Sequence, residues 1–406
     1  MPGTAIRQLA ISCFRSLRRV HIETGGHSVV LHGRNGVGKT NVLEAVSMLS
    51  PGRGLRSARA AEMVRSGECT GWRISGQIDL LSRGQHAPHG HEVETRFDGS
   101  GSRDVVVDGK PAPQSALGRV LPLMWLVPVM DRLWLEGSEG RRRFLDRMAM
   151  GFEPDHAERS LVYARALRER NGMLKAGVRD SGWYDAIELR MAEAGAAIEA
   201  NRQATIDRLV ATGSQIGSGF PRAELSLVSS GREVENDGSP DLARMSAACD
   251  ALDETMSPGE AASMETGTAD WFRDRFRKGR SGDILSGRTR NGPHRTDLLA
   301  VHAGTGLPAR QCSTGEQKAL LLSLILAGAR AQSEDTGIGA TPVLLLDEVS
   351  AHLDESRRGE LYHELERLGA QVWMTGTEPE LFASLGGDFR KFSVVSEGGE
   401  TRIAAD

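Results

Sequence analysis

The 406-residue chain reads as an α/β protein: a mixed, largely parallel core sheet, an antiparallel β subdomain beside it, and an α-helical arm inserted into the chain. Three observations predict this. A glycine-rich stretch, "GRNGVGKT" (Gly33 to Thr40), lies between a short apolar strand pattern and a helical one. A second buried-strand pattern, "PVLLLDE", ends in paired carboxylates far downstream. Between them, apolar residues recur at helical spacing for about sixty residues.

Taken in order, "AIRQLAISCF" and "RRVHIE" read as a strand pair, and "HSVVLH" as a short buried strand leading into the glycine-rich stretch. A helix follows, with Val42, Leu43, Val46 and Leu49 on one face, and "SPGRG" ends it. From Trp72 to Lys110 the segments "WRISGQIDL", "EVETRF" and "RDVVVDGK" alternate as antiparallel strands, the last closed by an Asp-Gly turn, with a loop at "SRGQHAPHGH". "LPLMWLVPV" reads as a strand returning to the core. After "GRRRFLDRM" one helix is expected from about Asp155 to Lys175, with Leu161, Ala164, Leu167 and Leu174 inward. A second is expected from about Tyr184 to Leu209, with a coiled-coil-like seam of Ile187, Met191, Ala194 and Ile198. The short "GVRDSG" makes them an antiparallel hairpin. "ELSLVSS" is strand-like and a helix is expected near Leu242 to Met256. "GPHRTDLLAVH", an apolar helix after "STGEQK", and the buried strands "PVLLLDE" and "QVWMT" complete the chain.

Composition narrows the function classes. Fifty Lys and Arg against fifty-four Asp and Glu give net charge -4, so nucleic-acid contact requires a local patch. Aromatic residues at 5% give little support for a base-stacking platform. Cys13, Cys69, Cys249 and Cys312 are far apart with no C-x-x-C spacing, which reads as reduced thiols without a zinc site or disulfide framework. Arg7 and Gln8 interrupt the apolar core a signal peptide needs, and Ser323 and Gly328 break the longest apolar run. A cytoplasmic protein without a membrane partner is the expectation.

"GRNGVGKT" fits G-x-x-x-x-G-K-[ST] in full, and its strand-loop-helix setting separates it from a chance glycine-rich turn. Its glycines allow backbone N–H groups to form an anion nest at a helix N-terminus. Gly33, Arg34, Asn35, Gly36, Val37, Gly38, Lys39, Thr40 and Asn41 are therefore the expected ATP-phosphate contacts, with Lys39 at the β and γ phosphates. Thr40 and Asp347 are the expected Mg2+ ligands. Glu348 reads either as the group that orients or deprotonates the attacking water or as a solvated strand-end residue.

Between these motifs stands "CSTGEQKALLLSLILAGA". Ser313, Gly315 and Glu316 occupy the places of the Ser, second Gly and Gln of the "LSGGQ" signature, so the chain resembles the ABC-type P-loop ATPases. That resemblance implies an ATP-dependent homodimer in which Ser313 of one copy completes the γ-phosphate site of the other. "SAHLDE" looks like the loop that crosses such an interface, with Asp354 the expected interface residue; it reads equally as a helix N-cap.

Further stretches make the chain similar to the RecF family of bacterial recombination-mediator ATPases: "GRNGVGKTNVLEAVSMLSPGRGLR", "DRLWLEGSEGRRRFLDRM", "YARALRERNGML", "GPHRTDL", "STGEQKALL" and "LLLDEVSAHLDE". The resemblance implies an ATPase head in two parts, 1–150 and 290–406, around an inserted arm, 151–289. It also implies DNA binding at duplex and at single-strand to double-strand junctions, and work with RecR and RecO in loading RecA at gaps. Two departures stand out. Val129, Met130 and Asp131 replace the glutamine expected after "WLVP", and no switch histidine follows "QVWM", where Thr375 and Thr377 are the available polar groups. Both imply slow, clock-like hydrolysis. The competing readings are an SMC-like ATPase with a nuclease output and a transporter ATPase, which needs a membrane partner.

Three arginine clusters could carry DNA contact. They are Arg53, Arg56 and Arg59; Arg141 to Arg143, of which at least one is expected to pair with Glu139 or Asp146; and "RDRFRKGR", Arg273 to Arg280, which also reads as a solvated basic face. Arg56, Arg141, Arg277 and Lys278 are the expected contacts, Arg56 on the resemblance to SMC-like heads. His294 and Arg295 in "GPHRTD" read either as catalytic or as a packed loop.

Overall fold

The computed structural model describes residues 3–67, 69–80, 89–217, 219–229, 267–334, 341–350, 353–386 and 389–406. The helix expected near 242–256 and most of the loop expected at 82–91 lie outside the described residues. In chain order the strands are β1 (Thr4–Phe14), β2 (Leu17–Glu23), β3 (Ser28–His32), β4 (Trp72–Leu80), β5 (His89–Phe97), β6 (Asp104–Val107), β7 (Lys110–Pro111), β8 (Leu123–Leu126), β9 (Ala223–Ser229), β10 (Thr296–His302), β11 (Leu307–Pro308), β12 (Val343–Leu346), β13 (Val372–Gly376), β14 (Phe389–Glu397) and β15 (Glu400–Ala405). The helices are α1 (Lys39–Ser47), α2 (Leu117–Val120), α3 (Ser138–Phe152), α4 (His156–Lys175), α5 (Ser181–Gly213), α6 (Ala269–Ser286), α7 (Thr314–Glu334) and α8 (Glu355–Leu368). No helix among the described residues is long and apolar enough to cross a membrane.

Contacts divide the chain into two compact units, one of Met1–Asp131, Ala211–Pro221 and Leu321–Asp406, the other of Arg132–Val210 and Arg222–Leu320. The first holds a six-stranded sheet of order β15-β14-β3-β13-β12-β8. From β14 through β8 neighbouring strands are parallel, and only β15 turns back. β12 and β8 are buried along their whole length, which is why both read as unbroken apolar runs. This order brings the C-terminal ends of β3, β12 and β13 to one edge, where open α/β sheets bind ligands. A second, antiparallel sheet runs β2-β1-β4-β5-β6-β7. Gln371 joins the two sheets: its Oε1 accepts from the Ile6 N–H, and its Nε2 donates to the Ile6 and His27 carbonyls.

The expectation of reduced, unlinked thiols is corrected for two cysteines. Cys13 and Cys69 form a disulfide, with Cα atoms 6.0 Å apart. They are distant in sequence, but a 3-10 turn at Ala60–Met63 folds back onto the end of β1. Arg15 N–H donates to Met63 O, Arg65 N–H donates to Cys13 O, and Phe14 bridges Val64. Cys312 is free and buried.

In the second unit, α4 and α5 pack as the expected hairpin, and Ile187, Met191, Ala194 and Ile198 are buried together with Trp271, Phe272 and Phe276 of α6. The inward face of α4 differs from the expected one. Leu161 is 53% exposed, and Ala164 is exposed as well. The buried positions are His156, Tyr163, Ala166, Arg170 and Leu174, of which only Leu174 belongs to the expected face. A fully buried arginine sets this face, which a search for apolar periodicity cannot find. Arg170 donates to Glu188 Oε1, to Asp283 Oδ2 at 2.6 Å and to Thr289 Oγ1 at 2.8 Å. "RNGML" is explained by the same contacts, since Asn171 Oδ1 accepts from both the N–H and the hydroxyl of Thr289.

Candidate nucleotide site

β3 delivers the chain into Gly33 to Gly38, and α1 begins at Lys39. The glycines are required here. Gly33, Gly36 and Gly38 have φ of 149°, 81° and 108°, and a Cβ at Gly33 would stand 2.2 Å from the Val394 carbonyl. Thr401 holds the loop from the other side: its hydroxyl donates to Val37 O at 2.8 Å and lies 2.7 Å from Ser16 Oγ. Asn41 Nδ2 donates to Ser16 Oγ, while Asn41 Oδ1 accepts from Arg56. The Asn41 amide is therefore engaged by protein groups on both of its atoms. Ser16 and Thr401 carried no signal in the sequence, because one reaches the loop from the turn between β1 and β2 and the other from β15.

Lys39 Nζ donates to the carbonyls of Gly33 at 2.6 Å and Arg34 at 3.1 Å. Burial lowers its pKa, while Glu348 and Asp347 act in the opposite direction. Asp347 follows β12, as expected. The Thr40 hydroxyl lies 3.0 Å from each Asp347 carboxylate oxygen, and the Thr375 hydroxyl donates to Oδ1 at 2.7 Å. Burial raises the Asp347 pKa, and the Thr375 and Thr40 hydrogen bonds oppose that. A hydroxyl and a carboxylate converging at one point are hard oxygen donors of the kind Mg2+ takes, and an anion nest with a buried ammonium beside it fits a phosphate chain. Glu348 adopts φ 51°, which turns it away from the strand direction, and its N–H donates to Thr375 Oγ1 at 2.9 Å.

Ser313, Gly315 and Glu316 belong to the second unit and open the 21-residue helix α7. Ser313 and Gly315 are exposed. Ser313 is the N-cap: Glu316 Oε2 accepts from both its N–H and its hydroxyl, at 2.8 and 2.7 Å, and Ser313 Oγ lies 3.3 Å from Glu316 N. This explains how a carboxylate occupies the place of the signature glutamine. It is turned back onto the cap, where it takes both polar hydrogens of Ser313, while Ser313 and Gly315 stay exposed at the positive end of a long helix. Asp354 caps α8, accepting from the Arg357 N–H at 2.9 Å, so the N-cap reading of "SAHLDE" describes its geometry in this chain. Val129, at the place of the missing glutamine, is 64% exposed on a 3-10 turn.

The basic clusters separate clearly. Arg141 is nearly buried, forms a two-point ion pair with Asp297 at 2.7 Å and donates to the Leu133 and Glu136 carbonyls. All of its geometry serves the fold, so the expectation of a DNA contact at Arg141 is not carried forward. Arg142 donates to Thr296 O and Arg143 pairs with Glu139, whereas Asp146 takes Arg202 and His156. In α6, Arg280 pairs with Asp185 and Glu188, and Arg275 lies over the Trp271 ring. Arg277 and Lys278 remain on the exposed side, Lys278 paired with Asp274 at 2.9 Å. Arg56 is 41% exposed while sharing the buried Glu44 with Arg15.

His294 is a packed-loop residue. Its Nδ1 accepts from the Tyr163 hydroxyl at 2.8 Å and its Nε2–H donates to Thr289 O at 3.2 Å, which fixes the neutral tautomer. Burial lowers its pKa to about 4. It is thus neutral at neutral pH.

These features define a P-loop ATPase head of the ABC and SMC type, with a parallel core sheet, an antiparallel sheet and a helical insert. The chain belongs to the RecF family: residues 5–396 match the model for the RecF/RecN/SMC N terminal domain, and RecF proteins are about 40% identical to it over nearly its whole length. "DNA replication and repair protein RecF" of Brucella suis biovar 1 is 41% identical, covering 96% of this chain and 94% of that protein. The protein of the same name from Mesorhizobium japonicum is 40% identical, covering 95% of each. A solved structure of the recombination mediator protein RecF with ATP superposes with a TM-score of 0.78 at 22% identity, covering 99% of this chain and 98% of that one.

Proposed function

We propose that this protein is an ATP-dependent DNA-binding switch of recombinational repair and replication-gap maintenance in the cytoplasm. The convergence of Thr40, Asp347 and Lys39 at the sheet edge carries the reading, because it provides a complete half-site for a nucleoside triphosphate. The exposed N-terminus of α7 provides the other half, and it is offered to a second copy of the chain.

In this scheme the P-loop N–H groups and Lys39 bind the β and γ phosphates. Thr40 and Asp347 hold Mg2+, which supplies charge neutralisation at the transferring phosphoryl group. Glu348 accepts the proton of the attacking water. The exposed first turn of α7 in the second copy, at Ser313 and Gly315, meets the γ phosphate with its positive end, and Asp354 lies at the joint. The division into a head, 1–150 and 290–406, and an arm, 151–289, belongs to the same proposal. DNA contact falls to Arg56, Arg277 and Lys278, with duplex and single-strand to double-strand junctions as targets. RecR and RecO are the expected partners in loading RecA. Slow hydrolysis fits an exposed Val129 where the glutamine is missing, and Thr375 and Thr377 as the polar groups available where the switch histidine is missing.

Sedimentation with and without ATP, and with a junction DNA, tests the reading. A monomer that becomes a dimer with ATP, and that takes up the junction in that form, is the expected result. A monomer unchanged by ATP refutes it.

A further inference from the structure

We infer that Thr375 is a positioning residue for hydrolysis, its single buried hydroxyl holding both the carboxylate assigned to the metal and the backbone that aims Glu348. The inference rests on the ATPase reading above and goes beyond it, giving a positioning task to a residue that the reading names only as a polar group where the switch histidine is missing.

Thr375 lies on β13, 1% exposed, directly beside β12. A hydroxyl has one proton and two lone pairs. Here the proton goes to Asp347 Oδ1 at 2.7 Å, and a lone pair accepts the Glu348 N–H at 2.9 Å. The amide can only donate, so Thr375 Oγ1 accepts from Glu348 and its own proton is directed to Asp347 Oδ1. At Glu348 the chain leaves the strand in the left-handed region, φ 51°, a rare conformation for a residue with a side chain. Its amide, fixed by the peptide that joins it to Asp347, donates to Thr375 Oγ1. One hydroxyl thus fixes two consecutive residues with different tasks.

The two tasks are separable. Thr375 binds Asp347 on Oδ1, while the Thr40 hydroxyl lies 3.0 Å from both oxygens, so Thr375 sets the rotation of the carboxylate that Thr40 and a metal would share. Outer partners of this kind typically govern metal affinity or activity by roughly ten- to a hundredfold. Holding Glu348 N–H fixes the backbone turn from which the Glu348 side chain departs. Losing the hydroxyl releases both.

The test compares Thr375→Val, which keeps the shape and removes the hydroxyl, with Thr375→Ser, which keeps the hydroxyl and removes a methyl. Both are made in the full chain and measured with ATP and Mg2+. For the valine variant, kcat is expected to fall roughly ten- to a hundredfold. The Mg2+ concentration for half-maximal affinity of a fluorescent ATP analogue should rise, while its affinity without Mg2+ should not change. The serine variant should recover turnover and Mg2+ dependence to near the wild-type values. A valine variant with wild-type kcat and Mg2+ dependence overturns the inference. So does a serine variant impaired as much as the valine one, since shape would then be the cause. If the wild-type protein itself shows no Mg2+-dependent turnover, the ATPase reading fails and this inference fails with it; if only the variants behave otherwise, the inference fails alone.

Discussion

Glu348→Gln is expected to lower ATP turnover by roughly a hundred- to ten-thousandfold, the usual contribution of a general base. Affinity for ATP should be unchanged, and a dimer should accumulate with ATP and DNA. The reason is local. Lys39, Thr40 and Asp347, which hold phosphate and metal in the proposed site, are untouched by the substitution. The glutamine preserves size and loses only the ability to take a proton. The Glu348 backbone is held through its N–H rather than its carboxylate, so the turn should survive. Single-turnover hydrolysis and sedimentation check both halves. Turnover within a few-fold of wild type would make Glu348 a solvated strand-end residue and move the base elsewhere.

The second large effect concerns the arm. Arg170→Met removes a buried cation and leaves Glu188 and Asp283 behind, a change that costs about 3–5 kcal/mol when a buried pair loses one member. Both carboxylates are almost fully buried, and the arginine is flanked by the Tyr184 and Phe276 rings. Glu188 retains Arg280, so the greater part of the loss falls on Asp283. Burial already pushes the Asp283 carboxyl above its ordinary range despite Arg170. Without Arg170 it should take up a proton on folding. Urea unfolding followed through Trp271, which lies in the same core cluster, measures the loss. A cost below about 1 kcal/mol, the range of exposed ion pairs, would contradict the buried network described here.

The head was legible in the sequence wherever a requirement was local. Anion nests need glycines with positive φ, and β12 had to be apolar to lie within a sheet covered on both faces. Both requirements write themselves into a few consecutive residues. The seam of α5 was legible because four apolar residues repeat, whereas the face of α4 was not, because Arg170 replaces an apolar residue there and its partners come from α5 and α6. The Cys13–Cys69 bond was missed for the same reason, since a turn some distance along the chain sets the meeting. Arg141 shows a different limit. Three consecutive arginines resemble a DNA patch, but only the structure reveals Asp297 waiting for the first of them.

The central claim is that the signature of one copy acts on the triphosphate bound by the other, and mixing two inactive variants tests it most directly. Lys39→Ala removes the phosphate-binding ammonium. Gly315→Asp places a negative charge at the start of α7, where nothing beyond the adjoining residues and the helix's own backbone lies within 4 Å of the added Cβ and an acidic side chain suits the helix terminus. Each variant alone should be inactive. Mixed, they form dimers in which one composite site joins an intact P-loop to an intact signature, so ATP turnover should reappear. A mixture as inactive as its parts would mean that both motifs serve the same copy, and the account would be wrong.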